Sequence, residues 1–221
     1  MPAPRIRIDL HAHTRRSTDS WTSPEDFVAR AAAAGLDRIA VTDHGRIDGA
    51  LAAAALDPAR VIVGQELRCR EEVDLIGLFL REELPDGLPV VEAAAAIRAQ
   101  GGVVYVPHPY AYLTRSAERA ARVLAVADVV EVFNARAFVP TWNRRAAGAA
   151  VAAGLPAFAS SDAHFPWEIG RAWTELPPFD DAASFLAAAR ESLPVGHRLG
   201  SPLLHVASMA LSLSRGGRIE L

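Results

Sequence analysis

In the run IDLHAHT at 8–14, His11 and His13 stand two residues apart, directly after an apolar, β-favouring stretch. A strand alternates its side chains between faces, so Asp9, His11 and His13 are expected to share one. Imidazole and carboxylate groups recur after other β-like runs: His44 in VTDHG, Glu66 in GQEL, His108 in VPHP, and Asp162 with His164 in SSDAH. Asp19 lies in the loop after the first run. Neutral imidazole plus carboxylate is a ligand set for Zn²⁺, Mn²⁺ or Fe, and a carboxylate can bridge two ions. A lone H-x-H pair or a helix-capping SDAH would carry little weight. Eight such groups in ordered succession exceed the needs of one tetrahedral ion and point to a cluster of two or three.

Such groups need a scaffold that gathers them from distant parts of the chain. Seven β-branched or apolar runs read as strands, at 5–10, 38–43, 60–64, 73–80, 102–106, 128–133 and 156–161, with Ala/Leu/Arg-rich segments of helical length between most of them. Ser23 before Pro24 and Asp180 before DAASFLAAARE are expected helix N-caps, and the Ala-rich stretches at 29–35 and 92–102 end in Gly as helices do. Strand–helix alternation argues a mainly parallel sheet covered by helices, closed as a barrel or open and doubly wound. Functional groups in such folds gather at the carboxyl ends of strands. Five of the seven histidines follow predicted strands 1, 2, 5 and 7, which one closed ring of loops satisfies most simply. The expected fold is therefore an α/β barrel with the site at its carboxyl rim.

Composition narrows the partners. The chain has 221 residues, enough for one barrel domain, and a net charge of −3, with no Lys/Arg block to track a long duplex. The single cysteine, Cys69, excludes an internal disulfide and reads as a small buried hydrophobe. No leader-like segment and no apolar stretch of about 20 residues is present, so a cytoplasmic protein without membrane association is expected. The segment 194–221, a Gly/Pro-marked loop and an apolar helical run, is expected to pack on or beside the barrel or to form a homodimer contact. His197 and His205 fall there, outside the pattern of the other five.

Taken in order, DLHAHT, VTDHG, GQEL, VPHP and SSDAH resemble the polymerase and histidinol phosphatase (PHP) superfamily of metal-dependent phosphoesterases, over about residues 6–175. The resemblance implies a distorted (β/α)7 barrel with two or three divalent ions (Mn, Fe or Zn) at its carboxyl rim. It implies that His11, His13, Glu66 and Asp162 hold a first ion, that Glu66 bridges to a second held also by His108, and that Asp19, His44 and His164 hold a third. Many relatives carry histidine where Asp19 stands, and histidine again where this chain has Asp74 in VDLIG; Asp74 is the expected ligand there.

The activity implied is hydrolysis of a phosphate mono- or diester by a hydroxide bridging ions about 3.5–4 Å apart, held by Glu66 and neighbouring ligands. Asp43, pointing away from its neighbour His44 if the strand continues, is expected to orient a ligand. Arg15, Arg16, Arg46, Arg136, Arg144 and Arg171 lie near predicted rim loops, where a guanidinium suits phosphate. Arg46 and Arg144, with Asn134, are the expected substrate contacts, and Tyr110, Tyr112 and Trp167 are aromatics that could stack on a base. The expected substrate is a small phosphorylated metabolite, a nucleotide or a short oligonucleotide. Two alternatives stand beside it: a metal-dependent hydrolase of amides or lactones, and a non-catalytic metal-binding module. No lysine follows the strands to serve as a carboxylated bridge, which favours phosphoesters.

Overall fold

The computed structural model describes residues 4–111, 116–197, 199 and 201–216. Each of the seven expected runs forms a strand: β1 (Ile6–Asp9), β2 (Arg38–Val41), β3 (Val61–Arg68), β4 (Asp74–Leu78), β5 (Val103–Val106), β6 (Val129–Asn134) and β7 (Ala157–Ser160). Two more follow, β8 (Ala172–Leu176) and β9 (Leu193–His197). The helices are α1 (Pro24–Ala33), α2 (Asp48–Leu56), α3 (Val90–Ala99), α4 (Ala117–Leu124), α5 (Pro140–Ala153), α6 (Ala182–Ala189) and α7 (Pro202–Ser214). Ser23 caps α1, its hydroxyl accepting from the Asp26 N–H. For α6 the cap is Asp181 rather than Asp180, because Asp181 and Ser184 satisfy each other's backbone N–H groups three residues apart.

The strand order is β7-β6-β5-β4-β3-β2-β1-β8-β9. The sheet is more mixed than strand–helix alternation suggests. β1–β2, β2–β3, β5–β6 and β6–β7 pair in parallel, while β4 runs antiparallel to both β3 and β5, and β8 antiparallel to β1 and β9. Only residues 69–73 join β3 to β4, too few for the crossover that a parallel pair needs. β9 escapes a sequence reading because it carries Pro194 and Gly196, which an edge strand tolerates.

Beyond β1 and β7 the two chain segments meet. Ala12 bridges Ala163 in parallel, His13 N–H donates to the Ala163 carbonyl (2.8 Å) and Asp162 N–H to the His11 carbonyl (2.8 Å). These bonds nearly close the sheet into a barrel and put the HAH and DAH motifs side by side. One apolar cluster joins the outer faces of the strands (Ile39, Val41, Val104, Val130) to helix residues such as Phe27, Ala50 and Ile97. A second fills the inside, with Ile8, Ile62, Ile76, Val129 and Phe158 reaching Phe185 of α6. Ala12 belongs to the outer cluster and so points away from the histidines that flank it. No helix among the described residues is long and apolar enough to cross a membrane.

Candidate metal centre

The period of two along each strand stacks the barrel interior in layers. On β6, Val129 sits in the apolar layer and Glu131 one step above it; on β5, Val103 precedes Tyr105; on β7, Phe158 precedes Ser160, and Asp162 follows just past the strand. The transition from apolar to polar is a hydrogen-bonded floor. Tyr105 Oη lies 2.8 Å from Ser160 Oγ and donates to Glu131 Oε1 (3.3 Å). Glu131, almost fully buried, also accepts from His108 N–H (2.7 Å) and Asn134 Nδ2 (3.0 Å), and lies 3.2 Å from His11 Nδ1. A buried carboxylate is tolerated there because every neighbour is a donor.

Above this floor four donor atoms converge. His11 Nε2 and His13 Nε2 are 3.1 Å apart; Glu66 Oε2 lies 3.3 and 3.4 Å from them, and Asp162 Oδ1 3.4 Å from each. Metal–ligand bonds of about 2.0–2.1 Å directed tetrahedrally have edges of about 3.3–3.4 Å between donors. The rings present these nitrogens because their other edges are engaged. Glu131 holds His11 Nδ1, and Ser17 Oγ faces His13 Nδ1 at 3.3 Å while donating to Asp43 Oδ1 (2.9 Å). Asp43 thus acts through Ser17 on His13, and Thr14 fixes it further through its N–H (2.7 Å) and hydroxyl (2.6 Å). The backbone of α2 comes so close that a Cβ on Gly49 would lie 2.0 Å from Asp43 Oδ2.

Two further groups adjoin the first. His108 Nε2 stands 3.4 Å from Glu66 Oε1, a buried oxygen with no hydrogen bond among the described residues. Asp19 Oδ2 lies 2.9 Å from His164 Nε2 and 3.5 Å from His44 Nε2, its other oxygen likewise without a hydrogen bond. The donor atoms of His13, His44 and His164, of His11, Glu66 and His108, and of His11, His13 and Asp162 each converge within 4.8 Å. Donor type, spacing and the orphaned carboxylate oxygens therefore fit a multinuclear cation site.

Charge is concentrated to match. Burial opposes ionisation of Glu66, Asp162 and Asp19, yet the surrounding imidazoles hold all three well below the usual carboxylate range. Burial also disfavours charge on His11, but Asp162, Glu66 and Glu131 hold it well above the ordinary histidine value. His13, buried and facing His164 and His44, is pushed down to about 3. The cluster thus carries excess negative charge that protons or cations must balance. Two of its members sit in the left-handed backbone region that non-glycine residues rarely enter, His108 at φ +26° and Asp162 at φ +52°.

The donors open into a cavity of about 120 Å³ that Asp74 and Arg136 also line. Asp74 pairs with Arg68 Nε (3.0 Å) and belongs to none of the three converging groups. Asn134 is turned inward, donating to Glu131 and to Asp162 Oδ2 (3.1 Å), so it orients a candidate ligand. Arg46 is exposed and paired with Asp48 (2.6 Å), and Arg144 is exposed on α5; neither lines the cavity. Arg16 pairs with Asp48 and Arg171 faces Glu168, while Arg15 is exposed, leaving Arg136 as the cavity's guanidinium among the six. Asp9 departs from the shared face expected of it: its carboxylate turns to Ser161 and the His11 N–H, away from the cavity. Tyr110 lies beneath the Arg145 guanidinium, Trp167 stacks on Phe165, and Tyr112 falls outside the described residues. Cys69 is buried, which pushes its thiol up to about 12.

Glu131, Ser17, Glu168 and His205 belong to the site without belonging to any of the sequence motifs at the strand ends. A charge in the middle of VVEVF, an apolar strand run, is a usable signal for Glu131, since such a group must have partners when buried. His205 reaches the cavity because α7 folds back across the barrel mouth, which no periodicity in the chain announces.

The PHP domain family matches residues 9–121, and the PHP-associated family matches residues 140–192. An uncharacterised protein of Methanocaldococcus jannaschii is 34% identical over 143 residues, covering 59% of this chain and 82% of that protein. A two-domain protein from Bacteroides vulgatus containing a predicted PHP-like metal-dependent phosphoesterase superposes with a TM-score of 0.69 at 19% identity, over 94% of this chain and 70% of that one. Endonuclease Q, in complex with a 27-mer duplex carrying an abasic lesion at its active site, superposes with a TM-score of 0.65 at 15% identity, over 85% of this chain and 57% of that one.

Proposed function

Because this chain belongs to the PHP family, we propose that it is a metal-dependent phosphoesterase acting on a phosphate mono- or diester of a small metabolite, nucleotide or short oligonucleotide. The observation that carries this is the convergence of His11 Nε2, His13 Nε2, Glu66 Oε2 and Asp162 Oδ1 at 3.1–3.4 Å, with both imidazoles held from behind. Asp19, His44, His108 and His164 would extend the donor set toward two or three ions of Mn, Fe or Zn, and Glu66, whose Oε2 faces His11, His13 and His44 while its Oε1 faces His108, would be the carboxylate shared between them. Divalent ions bound there supply Lewis acidity to phosphoryl oxygens and lower the pKa of coordinated water toward neutrality.

The chain's own residues do the remaining work. Glu131 and the Asp43–Ser17 pair fix the tautomers of His11 and His13 so that Nε2 of each faces the cluster. Asn134 holds Asp162 by its second oxygen. Arg136, buried at the cavity wall, faces an incoming phosphoryl group with a guanidinium kept in place by Glu168 (3.1 Å). Glu168 Oε2 also accepts from the backbone N–H groups of His164 and Phe165, tying the anion-facing arginine to the loop that carries His164.

The test is elemental analysis of purified protein joined to a panel of p-nitrophenyl phosphate, its bis-ester, nucleoside monophosphates and bisphosphates, and short oligonucleotides, each with Mn²⁺, Fe²⁺ or Zn²⁺. Turnover of at least one ester, lost on chelation, is expected. Failure of every ester at full metal content would overturn the proposal.

A further inference from the structure

α7 is built inside out. A helix that docks for stability buries its leucines and exposes its serines. Here Ser208 (4% exposed) and Ser212 (3%) are buried toward the cavity, and Leu203 (75%), Val206 (62%) and Leu213 (56%) face outward. His205 and Met209 share the inner face and line the cavity directly. Hydrogen bonds attach this face to the site: Thr18 Oγ1 lies 3.1 Å from Ser212 Oγ, Arg136 Nη2 donates to Ser208 Oγ (2.7 Å), and Arg215 Nη1 donates to the Ser20 carbonyl (2.8 Å).

Beside the acidic donor cluster, Arg136 is the guanidinium that lines this cavity, at the foot of α7. Glu168 serves two guanidiniums, Arg136 at 3.1 Å and Arg171 at 3.7 Å, so one carboxylate stands against two cations. Ser208 gives its hydroxyl proton to its own helix, at the Leu204 or His205 carbonyl, and accepts from Arg136, which makes it a positioning residue for that guanidinium. The cavity beside α7, about 120 Å³, matches the liquid volume of about four water molecules. That accommodates a phosphoryl group and a small attachment, whereas a nucleic-acid strand must leave the site on both sides of the scissile phosphate.

We propose that α7 is the substrate-selecting wall of this site: with Arg136 it admits the terminal phosphate of a small ester and excludes the internal phosphodiester of a nucleic-acid strand. This rests on the phosphoesterase function proposed above. Ser208 sets the guanidinium, while His205 and Met209 set the reach of the cavity beyond it.

The experiment compares the metal-loaded full chain with Ser208→Ala, Ser208→Thr and a His205→Ala/Met209→Ala double variant. Substrates are p-nitrophenyl phosphate, bis(p-nitrophenyl) phosphate and a single-stranded DNA dodecamer. Calorimetric binding of inorganic phosphate gives a readout independent of turnover, and thermal melts establish folding of each variant. The wild type is expected to favour the monoester by more than 100-fold in kcat/KM. Ser208→Ala should weaken phosphate binding and raise KM for the monoester about 5- to 20-fold with kcat within about threefold, and Ser208→Thr should restore both. The double variant should narrow the monoester preference at least tenfold. Wild-type preference for the bis-ester or the dodecamer, or an unchanged preference and phosphate affinity in every folded variant, would overturn the wall while leaving the phosphoesterase function standing. Absence of turnover on all three substrates would overturn the wall, and the same failure across the nucleotide panel as well would remove the phosphoesterase function with it.

Discussion

Replacing Glu131 by Gln changes one atom in the barrel floor and no shape. In the native chain both carboxylate oxygens meet only donors: His11 Nδ1 (3.2 Å) and Tyr105 Oη (3.3 Å) at Oε1, His108 N–H (2.7 Å) and Asn134 Nδ2 (3.0 Å) at Oε2. A glutamine must point its NH₂ at one pair. The Oε2 side contains a backbone N–H that cannot turn, so the amide nitrogen takes the Oε1 side, where His11 can present an unprotonated Nδ1 and the tyrosine hydroxyl can rotate. His11 then carries its proton on Nε2, 3.1 Å from His13 Nε2, where a cation needs a lone pair. Loss of a carboxylate behind a ligating imidazole costs about 10–100-fold in metal affinity, or about 1.4–2.7 kcal/mol. Calorimetric titration of chelator-stripped protein with Mn²⁺ or Zn²⁺ should show the tightest site weakened by that factor in Glu131→Gln, with an unchanged far-UV spectrum. A folded Glu131→Gln protein that binds its first ion within twofold of the wild type would refute the tautomer argument.

Metal binding should weaken with acidity. His11, held well above the ordinary histidine value mainly by Asp162, Glu66 and Glu131 against the effect of burial, is protonated in the metal-free site at neutral pH. A cation must displace that proton, so affinity should fall about tenfold per pH unit on acidification below the His11 pKa, and binding should release protons, seen as a dependence of binding heat on buffer ionisation enthalpy. Asp9, raised by burial to about 7 against its partners Ser161 and His11, acts on stability instead. Between about pH 4 and 7 the unfolded chain has lost this proton and the folded chain keeps it, so this group lowers stability as pH rises, by about 4 kcal/mol in all; Asp9→Asn should flatten denaturant midpoints over that window. Gly49→Ala should break the Asp43–Thr14 contact, because its Cβ would lie 2.0 Å from the carboxylate; a loss of more than about 2 kcal/mol in urea unfolding is expected. His13→Ala should lower both bound metal and hydrolysis rate, and full metal content with an unchanged rate would contradict its assignment.

The parts of the fold that come from local pattern are legible in the chain. β-branched runs after turn residues mark β1 to β7, and HAH, TDH, HP and DAH at their ends mark the rim. What pattern does not carry is pairing across the molecule. The direction of β4 follows from the five residues 69–73 before it, yet VDLIGLFL reads the same in a parallel or an antiparallel strand. AWTEL of β8 alternates buried and half-buried residues, but it is only five residues long and lies between the last expected strand and the helix expected after Asp180, with no β-branched run to mark it. At the site, donor identity was readable because imidazole and carboxylate are scarce and their spacing repeats. The orienting network was not: Ser17, Thr14 and Glu131 are ordinary residues until the barrel closes around His11 and His13. Among the arginines, burial separates Arg136 from the exposed Arg46 and Arg144, and burial of a long charged side chain depends on tertiary contacts with Glu168 and Ser208.

Whether the clustered donors hold a catalytic metal centre is tested by following phosphate release from a phosphomonoester while metal-stripped protein is titrated with Mn²⁺. No release is expected from the stripped chain, with activity rising in step with the second or third equivalent bound and that rise lost in Glu66→Gln. Release that is indifferent to stripping, or a Glu66→Gln protein that fills and turns over like the wild type, would contradict a catalytic metal centre.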